Sequence, residues 1–172
     1  MKPLLGTELK RFLRDYKRAH PPSRQIALLL QSIEYPYNVG GIFRLADGAG
    51  ITELVLTGIT PTPPHPTIDK VGRFKSRQLA WRYEKEPVTA AKSLKEQGYH
   101  LIALELTDTA VPYHTYTYPA KVCLVAGHED HGVTKAVLSQ CEAAVFLPMY
   151  GHGRSLNVYS ALSILTYHIR HS

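Results

Sequence analysis

Residues 26–33 read IALLLQSI, a near-continuous apolar run. A strand with one wet face alternates apolar and polar side chains; a strand covered on both faces does not. This run therefore predicts a buried strand with a layer packed on each side. Shorter stretches repeat the texture: 53–56 (ELVL), 99–106 (YHLIALEL), 122–126 and 144–148. Between them lie segments with helical character. VGGIFRLADGAG (39–50) has Asn38 near its N-cap and Gly50 just past its end, and 88–97 is stopped by Gly98. Residues 134–140 form a short helix, and a last one runs from Ser155 to about His168. Strand and helix alternating along one chain predict an α/β fold, a mostly parallel sheet with helices on both faces. The prolines of GITPTPPHP (58–66) demand a loop. The basic, aromatic stretch 68–86, with VGRFKSRQLAWRYEK inside it, declares no period. Ligands of such sheets sit at the C-terminal ends of the strands. The glycine-rich turns after Ile33, Ala126 and Met149 fall there, so one shared site is expected.

At 172 residues the chain has the length of one domain. Its charge is uneven. Residues 1–24 hold Lys2, Lys10, Arg11, Arg14, Lys17, Arg18 and Arg24 against Glu8 and Asp15, a net +5 of the total +6. We divide the chain into a basic N-terminal helical extension, 1–24, and a main domain, 25–172. A basic arm on a neutral body points to a polyanion, most often nucleic acid. The same segment carries an apolar stripe of Leu5, Leu9, Phe12, Leu13 and Tyr16, expected to face the core. No signal peptide is visible, and the longest apolar run, 26–30, is too short to span a bilayer. Cys123 and Cys141 are too few for a disulfide framework or a cysteine-rich zinc site, and read as buried thiols. A cytoplasmic protein with no membrane partner is expected.

Three turns carry the chemistry. In NVGGIFRLADGAG (38–50), Gly40 and Gly41 admit close approach by a backbone or a ligand. Arg44 stands among apolar neighbours, where a guanidinium needs a carboxylate, a phosphate or carbonyls. An ion pair with Asp47 or Glu129 is the plain alternative. Asn38 and Arg44 are six residues apart, about 600° of helical rotation. They converge only if Asn38 precedes the helix. The stretch has neither GxGxxG nor GxxxxGK[ST]. In AGHEDHG (126–132), two histidines three apart invite a metal reading, but HExxH is absent and glycines close both ends. A tight bend that points Glu129 inward fits better, with no metal; Glu129 as a charge near the following helix N-terminus is the alternative. In LPMYGHGRSLN (147–157), Ser155 suits a helix cap, and Asn157 is a poor helix former placed to bond a ligand or a neighbouring turn.

NVGGIFRLADGAG, LVAGHEDHG and LPMYGHGRSLNVYSALSILTYH together resemble the SPOUT superfamily of RNA methyltransferases, specifically the SpoU (TrmH-like) ribose 2′-O-methyltransferases. The resemblance spans residue 26 to the end. It implies a parallel α/β sheet with a deep C-terminal trefoil knot, S-adenosylmethionine held in that knot, and a homodimer with sites at the interface. It places Asn38, Arg44, Glu129, Ser155 and Asn157 at catalytic and site-forming positions. Leu104, Gly127, Leu147, Met149 and Leu156 fall in the cofactor region. The implied reaction moves a methyl group to a ribose 2′-hydroxyl of tRNA or rRNA. A guanidinium stays protonated above pH 12 or so, so Arg44 is assigned to stabilising negative charge on that oxygen. Glu129 is expected to orient Arg44, and Asn38 and Ser155 to hold ribose or phosphate.

The chain departs from the family in the basic loop Gly151–Arg154 and in Tyr159, where small residues are common. A separate N-terminal RNA-binding domain of the family's kind is not expected in this sequence. RNA contact is assigned instead to Lys10, Arg11, Arg14, Lys17 and Arg18, to Arg73, Lys75 and Arg77, and to Arg154. Phe74 and Trp81 are placed to stack on unpaired bases, with a core role the alternative for Trp81. Two further readings stand beside this one: an inactive RNA-binding relative of the same fold, and a metal-dependent hydrolase using His128, His131 and His152.

Overall fold

The computed structural model describes residues 1–172. Seven strands form one sheet: β1 (Gln25–Gln31), β2 (Glu53–Thr57), β3 (Trp81–Glu84), β4 (His100–Leu104), β5 (Val111–Pro112), β6 (Lys121–Ala126) and β7 (Ala143–Phe146). Their order is β3-β2-β1-β6-β4-β7-β5, and every pairing is parallel. The helices are α1 (Gly6–Ala19), α2 (Pro36–Ala49), α3 (Pro66–Gly72), α4 (Pro87–Glu96), α5 (Lys135–Leu138) and α6 (Val158–His171). A single 3-10 turn spans Lys75–Arg77. No helix is long and apolar enough to cross a membrane.

The alternating faces of the central strands explain the continuous apolar runs. Ile26, Leu28 and Leu30 of β1 and Val122, Leu124 and Ala126 of β6 join the core under α2 and α6. Ala27 and Leu29, with Cys123 and Val125, join the opposite core under α4 and α5. Cys123 is fully buried and Cys141 only partly so, and burial pushes the Cys141 thiol up to about 12. The two glycines of α2 have separate partners. A Cβ on Gly40 would stand 2.9 Å from Val71 of α3, and one on Gly41 2.9 Å from the Tyr159 ring of α6. They let two helices seat against α2.

Several expectations change. The silent stretch 68–86 holds the rest of α3, the 3-10 turn and β3. Its α3 begins at Pro66, the last residue of the expected loop, with His65 as N-cap accepting from Thr67 N at 3.2 Å. A seven-residue helix and a half-exposed edge strand are too short and too wet to show a period. Trp81 belongs to the fold: it meets Phe43 edge-on at 5.9 Å and its Nε1 donates to Ser76 O at 3.0 Å. β5, only two residues long, was not expected. The last helix starts at Val158 rather than Ser155, because Asn157 caps it by accepting from Tyr159 N at 2.9 Å and Ser160 N at 3.4 Å.

The largest correction is α1. No residue of it is buried, and Leu5, Phe12, Leu13 and Tyr16 are half exposed or more. The sheet's two faces are already occupied by the other helices, so the apolar stripe does not reach the chain's own core.

Candidate active site

The C-terminal ends of β4, β6 and β7 open onto one cavity of about 750 Å³. Leu104, Glu105 and Leu106 come from the end of β4, and Ala126 to Gly132 from the turn after β6. Phe146, Leu147 and Met149 follow β7; Arg154 to Val158 lead into α6; Tyr35 and Asn38 stand at the start of α2. All five residues assigned to the cofactor region line it: Leu104, Gly127, Leu147, Met149 and Leu156.

The turn at 127–132 is a closed backbone loop. Gly132 N donates to His128 O at 2.8 Å, and Gly132 sits at φ +66°, a left-handed conformation that suits glycine. A Cβ on Gly127 would overlap the Gly132 carbonyl and Val133 N. His128 Nδ1 accepts from Asp130 N at 3.1 Å, which leaves Nε2 facing Glu34 Oε2 at 3.5 Å. His128 is thus a partly buried strut of the turn, while Asp130 and His131 are exposed. The acid and imidazole groups within mutual reach are Glu34, His128 and Asp130, not the three histidines of the hydrolase reading.

Glu129 points inward and closes the other side of the turn. Its Oε2 accepts from Glu34 N at 2.9 Å, and its Oε1 accepts from Asn38 Nδ2 at 2.7 Å and Tyr35 N at 3.4 Å. Burial raises the Glu129 carboxyl, but the Glu34 N–H, the Asn38 amide and further backbone N–H groups outweigh it and bring it below the ordinary carboxyl value of 4.5. It is ionised at neutral pH. Asn38 then links onward: its Oδ1 accepts from Asn157 Nδ2 at 2.8 Å. The chain Glu129–Asn38–Asn157 ties all three glycine-rich turns together. It also fixes the Asn38 amide, because a flipped amide would face a donor with a donor.

Two assigned residues behave differently. Ser155 is exposed at the cavity mouth. Arg44 is exposed and does not line the cavity, and its side chain makes no hydrogen bond or ion pair within the chain. Asn38 lies inside α2, so a residue six positions later cannot share its face. Glu129 therefore does not orient Arg44 within one chain, and Asp47 pairs with Lys75 Nζ at 2.8 Å instead.

Sequence reasoning missed Glu105. Its carboxylate accepts from Val133 N at 2.8 Å and Leu106 N at 3.0 Å, pinning the far side of the 127–132 turn. A Cβ on Gly132 would overlap it. A carboxylate next to the end of a buried strand was the available signal. Of the residues assigned to RNA, Lys10, Arg11, Arg14, Lys17 and Arg18 lie exposed on α1. Arg73 and Arg77 are exposed near the 3-10 turn, and Arg154 is exposed at the cavity mouth.

Comparison with known proteins agrees with this geometry. The chain is 26% identical over 142 residues to the tRNA (guanosine(18)-2′-O)-methyltransferase of Escherichia coli K12, a match covering 83% of this chain and 61% of that one. It is 29% identical over 162 residues to the 23S rRNA (guanosine(2553)-2′-O)-methyltransferase RlmP of Bacillus subtilis 168, covering 88% and 62%. It thus spans less than two thirds of the length of either relative. Among solved structures, the SpoU methyltransferase AviRb of Streptomyces viridochromogenes, in complex with AdoMet, superposes with a TM-score of 0.77 at 18% identity, over 96% of this chain and 78% of that one. That likeness establishes the fold. The profile described as the SpoU rRNA Methylase family matches residues 25–167, from the first residue of β1 to within a turn of the end of α6, and the chain belongs to that family.

Proposed function

We propose that the chain is an S-adenosylmethionine-dependent RNA methyltransferase acting on a ribose 2′-hydroxyl of tRNA or rRNA. The observation that carries the reading is the Glu129–Asn38–Asn157 chain on the wall of a cavity at the sheet's C-terminal edge. The residues fit the donor. Phe146, Leu147, Met149 and Leu156 give apolar walls for an adenosine, and Glu105, Glu129 and Asp130 outnumber Arg154, which suits a cation. When bound, the donor supplies an electrophilic methyl group on a sulfonium.

The chain's own residues do the rest. Asn38 uses one amide hydrogen on Glu129 and keeps the other for a ribose or phosphate oxygen. Ser155 offers a hydroxyl at the mouth, and Arg154 a cation for phosphate. Arg44 stabilises charge on the 2′-oxygen as the hydroxyl proton passes to a phosphate oxygen or to water. It lies outside its own chain's cavity, so in this reading it acts on the cavity of a second copy, and the enzyme is a homodimer with its sites at the interface. The open apolar stripe of α1 leaves further surface for such a pairing. Segments 127–133 and 147–157 are read as the loop and thread of a deep trefoil knot, supported by their shared cavity and by the Asn157–Asn38 bond on its wall. Residues 1–24 are read as an RNA-binding extension, and the setting as the cytoplasm.

Arg44→Ala is expected to abolish methyl transfer while leaving donor affinity within about twofold. Arg44→Ala mixed with Glu129→Ala should regain activity, because one composite site in the mixed dimer keeps both residues. Transfer by Arg44→Ala at the wild-type rate would refute its role; a mixture as dead as its parts would refute the shared site.

A further inference from the structure

The link from α3 to β3 is the oddest backbone in the molecule. Arg73 and Phe74 are consecutive non-glycine residues at φ +49° and +57°, in the left-handed region that side chains seldom adopt. The conformation turns Phe74 outward, where it is half exposed, and seats the Arg77 guanidinium over its ring at 4.8 Å. Core packing does not require this. Trp81 fills the adjacent core position, and its Nε1 donates to Ser76 O.

The turn is anchored to one particular surface. Lys75, between Phe74 and Arg77, reaches α2 and pairs with Asp47 at 2.8 Å. Asp47 lies three residues after Arg44, and both are exposed, so they are neighbours on one face of the helix. The ion pair therefore docks an aromatic ring and a stacked guanidinium beside the free arginine of α2. The three basic residues of the turn have separate jobs. Lys75 is neutralised and positions the turn, Arg77 extends the stacking plane, and Arg73 stays exposed for phosphate.

We propose that Phe74 and Arg77 form a stacking platform for an unpaired base of the RNA substrate, held next to Arg44. The inference rests on the RNA-methyltransferase reading and adds a place for a base near the ribose to be methylated. A flat aromatic face with a cation on it suits every base, so the platform supplies affinity and orientation rather than sequence readout.

The test uses the full chain and a short single-stranded oligoribonucleotide carrying 2-aminopurine, whose emission falls when it stacks. Wild type is expected to quench the probe. Phe74→Ala should bind about tenfold more weakly with little quenching, Phe74→Trp should restore both, and Lys75→Ala should resemble Phe74→Ala. The salt dependence of Phe74→Ala should match wild type, because a stack releases no counterion, whereas Arg73→Ala should lower the slope by about 0.7. Phe74→Gly, which suits the left-handed backbone, removes the ring if the alanine variant unfolds. No quenching by wild type, or wild-type binding and quenching by the Phe74 variants, overturns the platform. Calorimetry with S-adenosylmethionine on the same preparations separates the two claims. Donor binding with indifferent Phe74 variants sinks the platform alone; a working platform on a protein that binds no donor sinks the methyltransferase reading alone.

Discussion

Asn38 shows how much one side chain settles. It is 3% exposed, inside the first turn of α2, and each end of its amide is taken by a different loop. The sequence put Asn38 near a helix N-cap and marked Asn157 as a poor helix former, both legible because Asn prefers caps and turns. Which groups they bond was not legible, since the partners lie 91 and 119 residues away. Gly127 sets a sharper constraint. An added methyl group would meet backbone atoms of Gly132 and Val133, which cannot rotate away. Gly127→Ala should lower the melting temperature by on the order of 5 °C and donor affinity at least about tenfold; unchanged calorimetric binding would show that the turn tolerates opening. Glu129 adds a pH signature. Its folded value lies below 4.5, so the unfolded chain takes up the proton first as pH falls. Its stabilisation is complete above the unfolded value and disappears as pH drops through the folded one. The difference in urea midpoint between wild type and Glu129→Gln should therefore be level near neutrality and shrink only in the acid range. A difference that shrinks between pH 6 and 8 would mean another group controls it.

At the scale of elements, α1 is where composition and structure part company. Its apolar stripe and its basic face were both evident, but which neighbour the stripe meets depends on room left by the other helices. The two sheet faces leave none, so the stripe stays open. Removing residues 1–24 should reduce the slope of log affinity for RNA against log salt by about 3, from loss of several phosphate contacts. An unchanged slope would take α1 off the RNA surface. Sequence reading found α1, β1, α2, β2, α4, β4, β6, α5, β7 and α6, and all but the short α5 have an apolar face long enough to show. Those it missed or left silent, α3, β3 and β5, are short or half exposed, and tertiary contacts such as the Phe43–Trp81 pair hold them.

For the whole molecule, alternating buried runs were enough to predict a parallel sheet with its site at the strands' C-terminal ends, and the cavity lies there. Strand order was not readable, because β6 inserts between β1 and β4 and no local signal encodes that crossover. Nor was the exposure of Arg44. Its neighbours Phe43 and Leu45 are buried, yet the helix turns Arg44 itself to solvent, away from the carboxylate expected to hold it. The central claim is that this cavity delivers a methyl group to an RNA sugar. Its most direct test incubates the full chain with total RNA and S-adenosylmethionine labelled in the methyl group, then digests the RNA to nucleosides. The account predicts label in a single 2′-O-methylated nucleoside, lost with Arg44→Ala. Label on a base, or none in any RNA from a preparation that binds the donor, would contradict it.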